Sequence, residues 1–122
     1  MVDASLVAAA AFGEPRSREA VALMGAHALH APSLLPYELA HIAWKKIRQA
    51  PADRATILDQ LTHSKRMHIE LREADRTEVA ELASATGLSG YDAAYLWVAR
   101  ALSTDLITFD ARLAAAARSL RG

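Results

Sequence analysis

The sequence predicts one α/β domain over residues 1–122, helix-rich, with a short parallel sheet flanked by helices. Three observations predict it. Short apolar runs alternate with longer stretches of helical periodicity, the pattern left by parallel strands joined through crossover helices. Alanine, the strongest helix former, supplies 28 of the 122 residues. A chain of 122 residues that is 52% hydrophobic and 23% charged builds one good core and is too small for two.

Met1-Val2, before Asp3, reads as the end of a very short strand. Ser5 to Phe12 reads as a helix closed by Gly13 and Pro15, and Arg16 to Met24 as a second, with Gly25 as its stop. Ala28 to Ala31 is short, apolar and followed by Pro32, which suits a buried strand. Ser33 offers an N-cap to a long helix over Leu34 to Gln49, whose apolar residues fall at 35, 39, 42, 43 and 47. Pro36 lies in its first turn, where proline is tolerated, and Pro51 ends it. Ala52 to Thr62 is another amphipathic helix, with Ile57, Leu58 and Leu61 inward. Met67 to Leu71 alternates apolar and polar residues, a strand with one exposed face. Thr77 to Thr86 is a helix ended by Gly87. Ser89 to Asp92 opens a further helix with Tyr91, Ala94, Tyr95, Val98, Ala99 and Leu102 on its apolar face. Leu106 to Phe109 is β-rich, and Asp110 starts a last helix to Leu120.

Composition excludes several functions. With no cysteine there is no disulfide scaffold, thiolate nucleophile or cysteine zinc site, and a cytoplasmic location is expected. Fourteen basic residues balance 14 acids, so bulk electrostatics cannot coat nucleic acid, and any such contact needs a local basic patch. Asp3 and the lack of a basic leader make the start a poor signal peptide. The longest apolar run, Leu6 to Phe12, falls short of the roughly 20 residues that cross a membrane.

Of the 14 acids, ten lie in polar stretches or on exposed faces, and four interrupt apolar sequence: Asp3, Glu38, Asp92 and Asp110. Asp3 and Asp110 each follow a strand candidate, and the carboxyl ends of parallel strands form the ligand crevice of open α/β sheets. Glu38 lies one turn into its helix, and Asp92 in the first turn of another. If both helices enter from that rim, four carboxylates converge. Each also has a structural explanation. Asp3 and Asp110 suit N-caps, Ser89 with Asp92 resembles a capping box, and Glu38 favours a helix dipole. Converging unpaired acids are costly. A hard cation, Mg2+ or Mn2+, removes that cost and serves phosphoryl transfer.

The order of these segments is familiar. Asp3-Ala4-Ser5, Ala31 to Ala40, Gly87 to Leu96 and Leu106 to Ala114 closely resemble a PIN-domain ribonuclease and, within that fold, the VapC toxins of bacterial toxin–antitoxin pairs. The resemblance implies a PIN-like, Rossmann-like parallel sheet of four to five strands. It implies Asp3, Glu38, Asp92 and Asp110 as the metal-binding and catalytic acids, with the hydroxyls of Ser5 and Thr108 beside them. It further implies Mg2+-dependent cleavage of RNA to a 5′-phosphate and a 3′-hydroxyl, a homodimer, and neutralisation by a cognate VapB-type antitoxin. Only two residues precede Asp3, so the first strand is expected to be clipped or to start upstream.

Other residues carry weaker signals. Lys45, Lys46 and Arg48, beside Trp44, form either an RNA-contacting patch or a solvated helix end, and Lys65 and Arg66 are similar. Arg112 could steady a substrate phosphate or pair with the acids. His27, His30, His41, His63 and His68 lack ligand spacing. Tyr91, Tyr95 and Trp97 read as core or dimer contacts. Leu6 to Phe12 is either core or the wall of a partner-binding groove. Two other functions compete with the nuclease: a non-catalytic PIN-like module that binds RNA or protein, and another small α/β Mg2+ phosphoryl-transfer enzyme. The last lysine, Lys65, precedes a strand instead of following one, which disfavours a receiver-like domain.

Overall fold

Side-chain caps set the starts of four α-helices among the described residues. The computed structural model describes residues 1–25 and 28–121, so His27 lies outside the described residues. Helix α1 (Ala4–Ala11) starts at Asp3, whose carboxylate accepts the Leu6 amide. Helix α2 (Ser17–Met24), strand β1 (Leu29–Pro32) and helix α3 (Leu35–Gln49) follow. Helix α4 (Arg54–His63) sits between two 3-10 turns, Pro51–Asp53 and Ser64–Met67. Strand β2 (Ile69–Arg72) leads to helix α5 (Arg76–Thr86), which Asp75 caps at its start and left-handed Gly87 closes. Helix α6 (Gly90–Ala101) is capped by Ser89, and helix α7 (Ala111–Arg121) comes last.

The regular sheet has two strands, not the four to five predicted. β1 and β2 run parallel, with Leu29 opposite Ile69 and Pro32 opposite Arg72. Val2 and Ile107 form an isolated parallel bridge. The Val2 amide donates to the His30 carbonyl at 3.0 Å, and the Ile107 amide to the Met1 carbonyl at 2.9 Å. Ile107, Val2, β1 and β2 therefore lie side by side, but the outer pair does not extend into a ladder. The physical reason is local. Helix α1 begins directly after Asp3, and beyond Ile107 the amides of Phe109 and Asp110 bond to the hydroxyls of Ser5 and Thr108.

Four smaller expectations are corrected. Ser33 does not cap α3; its amide continues the pairing of β1 by donating to the Arg72 carbonyl at 3.0 Å. Met67 belongs to a 3-10 turn and His68 takes a left-handed φ of 42°, so β2 begins two residues later than predicted. Leu58 is exposed, and so is Tyr91. Of the two readings left open for Leu6 to Phe12, core is the one borne out, since Leu6, Val7, Ala8, Ala9 and Phe12 are buried.

The centre of that core is α6, whose Tyr95, Leu96 and Val98 are fully enclosed together with Val2, Leu6, Val7 and Leu113. Helix α6 packs against β1, α5 and α7, while α1 packs against α2 and α3. This arrangement carries the N-terminal ends of α1, α3, α6 and α7 toward one rim. No helix among the described residues is long and apolar enough to cross a membrane.

Two glycines with opposite roles test this account. A Cβ on Gly87 has room, its nearest contact being Arg112 Nη2 at 3.8 Å, but the φ of 73° is strained for alanine. Gly87→Ala is expected to lower stability by about 1 kcal/mol. Gly90→Ala, at an open helical position, is expected to be neutral or to add up to about 1 kcal/mol. Urea unfolding of both variants checks the pair.

Candidate active site

Asp3 is the one charged side chain classed as buried among the described residues, at 5% exposure. Both of its oxygens are held. Oδ1 accepts from the Ser5 hydroxyl at 2.7 Å and the Leu6 amide at 3.1 Å, and Oδ2 accepts from the Thr108 hydroxyl at 2.6 Å. The two hydroxyls lie 3.3 Å apart, so Ser5 and Thr108 form a cradle beside Asp3, as the family resemblance implied. Ser5 also accepts from the Phe109 amide, and Thr108 from the Asp110 amide. Asp3 thereby fixes the turn from Ile107 into α7.

Asp110 caps α7 through Oδ1, which accepts the amides of Arg112 and Leu113 at 2.9 and 3.0 Å. Its other oxygen receives no hydrogen bond among the described residues. Asp92 sits in the first turn of α6, where its amide donates to the capping hydroxyl of Ser89 at 3.1 Å. Glu38 sits in the first turn of α3 and accepts the hydroxyl of Tyr95.

Electrostatics ties the four acids together. Burial raises the proton affinity of Asp3, and the charge of Asp110 adds to it, against the lowering by its three donors. Glu38 is raised chiefly by burial, then by the charges of Asp92 and Asp3. Asp92 is raised by burial, then by Asp110 and Asp3, while Ser89 and the Arg112 guanidinium lower it. The structure thus brings the four acids within electrostatic range of one another. It does not close them into a cage: among the described residues no three His, Cys, Asp or Glu side chains are close enough to enclose an ion as they stand.

The other predicted residues divide. Arg112 donates to the Gly87 carbonyl at 2.8 Å, and its charge reaches Asp92 without an ion pair to any of the four acids. Lys46 is drawn away from the basic patch by an ion pair with Glu14 at 2.7 Å. Lys45 and Arg48 remain exposed. Beside Ser5, an apolar cleft of about 470 Å³ is lined by Ala8, Ala9, Ile42 and Phe109, with the Arg16 guanidinium 3.7 Å from the Phe109 ring centroid. Tyr95 was not among the predicted site residues. It is buried in the core, and a buried tyrosine hydroxyl needs a partner, which here is Glu38. Its place one turn after Asp92 was the available signal.

A model of the PIN domain matches residues 1–119 of the chain. The chain belongs to the PIN-domain family. Ribonuclease VapC3 of Pyrobaculum aerophilum is 32% identical over 119 residues, covering 93% of this chain and 91% of the relative, which makes this PIN domain VapC-like. The crystal structure of PAE2754 from Pyrobaculum aerophilum matches with a TM-score of 0.75 at 27% identity, covering 98% of this chain and 90% of that one. The PIN domain here therefore combines a full-length family match with four acids gathered at one rim.

The raised proton affinities give a sign for pH. A carboxyl whose folded pKa exceeds its ordinary value, 3.8 for Asp3, binds protons more tightly folded than unfolded. Its contribution to stability is full below that ordinary value and is lost as pH rises through the raised one. Without divalent metal, Asp3→Asn is therefore expected to gain melting temperature over wild type at neutral pH. The gain should shrink toward zero near pH ~4, because wild-type Asp3 is then protonated. Calorimetry in EDTA across that range checks the trend.

Proposed function

We propose that this VapC-like PIN domain is a metal-dependent endoribonuclease that acts as a toxin and is neutralised by a VapB-type antitoxin. The observation that carries the reading is the gathering of Asp3, Glu38, Asp92 and Asp110 at one rim, each of the first three held above its ordinary proton affinity by burial and by the others. An all-oxygen donor set of this kind fits Mg2+, with Mn2+ able to substitute. Asp3, Asp92 and Asp110 would hold the cation, and Glu38 would complete the site. When bound, the cation activates water and offsets charge developing on the scissile phosphate.

The chain's own groups do the rest. Ser5, Thr108 and the Leu6 amide fix the orientation of the Asp3 carboxylate. The α7 amides occupy Asp110 Oδ1 and leave the other oxygen for the site. Tyr95 fixes Glu38, which would bind the cation or position the attacking water. Arg112 offsets the charge of Asp92 and ties the end of α5 to α7. The apolar cleft beside Ser5 is the place for a segment of the antitoxin. The likeness to Ribonuclease VapC3 supports RNA as substrate. The family resemblance also supports a homodimer in the cytoplasm.

Asp3→Asn keeps the size and capping ability of the residue and removes its charge. It is expected to fold, to bind RNA through exposed cations such as Lys45 and Arg48, and to lose cleavage and growth inhibition by orders of magnitude. Asp59→Asn, on the exposed face of α4, is expected to change nothing. Wild-type cleavage by Asp3→Asn would refute the mechanism.

Millimolar Mn2+ or Mg2+ is expected to raise the melting temperature, since it binds a site that the unfolded chain lacks. No shift, or cleavage that persists in EDTA, would remove the metal from this reading. Sedimentation is expected to show a dimer that gains mass with the antitoxin. A monomer throughout the micromolar range would contradict it.

A further inference from the structure

Strand β2 is the outer strand of the sheet: one edge pairs with β1, and among the described residues no strand pairs with the other. The Arg72 carbonyl accepts from the Ser33 amide, so Arg72 and Glu70 turn their backbone groups toward β1. By the same alternation, Leu71 turns its N–H and C=O toward the open edge. Its side chain is 44% exposed. Ile69 and Leu71 border a cleft of about 390 Å³ walled by Leu35 and Leu39 of α3 and Leu61 of α4. Glu70 and Arg72 stand on the opposite face of the strand. Both are exposed, and their side chains pair at 3.2 Å, with His30 Nδ1 3.7 Å from the same Glu70 carboxylate.

An open edge attracts another strand, and proteins commonly protect such edges with charge. Charges of one sign repel any copy that arrives. Glu70 and Arg72 have opposite signs two residues apart, so they favour an antiparallel copy instead. The backbone fixes the phase: outward-facing residues must meet outward-facing ones, which excludes every slip by one residue. With Leu71 opposite Leu71 of the second copy, each Glu70 faces an Arg72, and four charges of alternating sign surround the two-fold axis. A slip by two sets Glu70 against Glu70 or Arg72 against Arg72. One register therefore satisfies hydrogen bonding and charge together, and it lays the two exposed leucines side by side. A strand of different sequence has no such built-in match. We propose that the open edge of β2 is a docking surface for β2 of a second copy of this chain, antiparallel and centred on Leu71. The family resemblance supports a homodimer but assigns it no surface, whereas this contact is read from the strand itself. Because the copies run antiparallel, their acid rims open in opposite directions and neither covers the other.

The chain has no cysteine, so a single introduced one reports the contact. Opposed residues of a hydrogen-bonded antiparallel pair have Cα atoms about 5.5 Å apart, within the roughly 4.4–6.8 Å that a disulfide spans. Leu71→Cys, at micromolar concentration under mild oxidation, is expected to form a disulfide-linked dimer on a non-reducing gel. It should do so at least about tenfold faster than Leu58→Cys on the exposed face of α4, because a docked pair is already held together. Adding Glu70→Arg to Leu71→Cys sets like charges against each other and is expected to slow the crosslink by about fivefold or more. Adding Arg72→Glu as well exchanges the two charges, restores their complementarity and is expected to restore the rate. Both charged positions are exposed, so the variants are expected to fold, which circular dichroism checks. Crosslinking at position 71 that is no faster than at 58, that is indifferent to Glu70→Arg, or that the exchange fails to restore overturns the contact. It does so even where sedimentation shows a dimer built through another face. The readout uses neither metal nor RNA, so its outcome is separate from that of the nuclease reading.

Discussion

The rest of the structure depends on how one carboxylate is held where water barely reaches it. Asp3 is 5% exposed, and burial alone favours its protonated form. Two hydroxyls and one amide oppose that tendency. Those donors are not interchangeable decorations. Ser5 and Leu6 open α1, and Thr108 belongs to the turn into α7. Holding this side chain therefore aligns the first helix, the last helix and the bridge between Val2 and Ile107.

The same constraint explains why helix caps and site acids coincide. Asp3 caps α1, Asp110 caps α7, and Ser89 caps α6 while fixing the turn that bears Asp92. Glu38 occupies the first turn of α3. Four helix N-termini thus present their partial positive charge to four acids. Capping and the proposed cation binding are not rival explanations of these residues. The dipoles ease the mutual repulsion of the carboxylates, and the unevenly used oxygens leave capacity for a ligand.

Helix boundaries were largely legible in the sequence because caps act within a few residues. Gly87 and Ser89 do what their types allow anywhere. The sheet was less legible. A strand's extent depends on what its amides bond to, and those of Phe109 and Asp110 serve Ser5 and Thr108. Periodicity placed Leu58 and Tyr91 on apolar faces, yet it cannot say how far round a helix the core reaches, and both lie in the open. The four acids stood out because they interrupt apolar sequence. Their partners did not: Thr108 meets Asp3 across 105 residues, and Tyr95 meets Glu38 across 57. The ion pair that removes Lys46 from the basic patch is likewise a contact between α3 and the segment joining α1 to α2 that no local pattern encodes.

The contact between Asp3 and Thr108 also bears on the birth of the protein. Translation delivers the first acid early and its hydroxyl partner 105 residues later. Asp110 and the helix that it caps follow later still. A chain emerging from a ribosome at about 5–20 residues per second therefore carries Asp3 without its hydroxyl partner for roughly 5–20 s. The acid cluster can assemble only after Asp110 has left the exit tunnel. A product truncated before Asp110 lacks one of the four acids, so the rim where they gather is completed late.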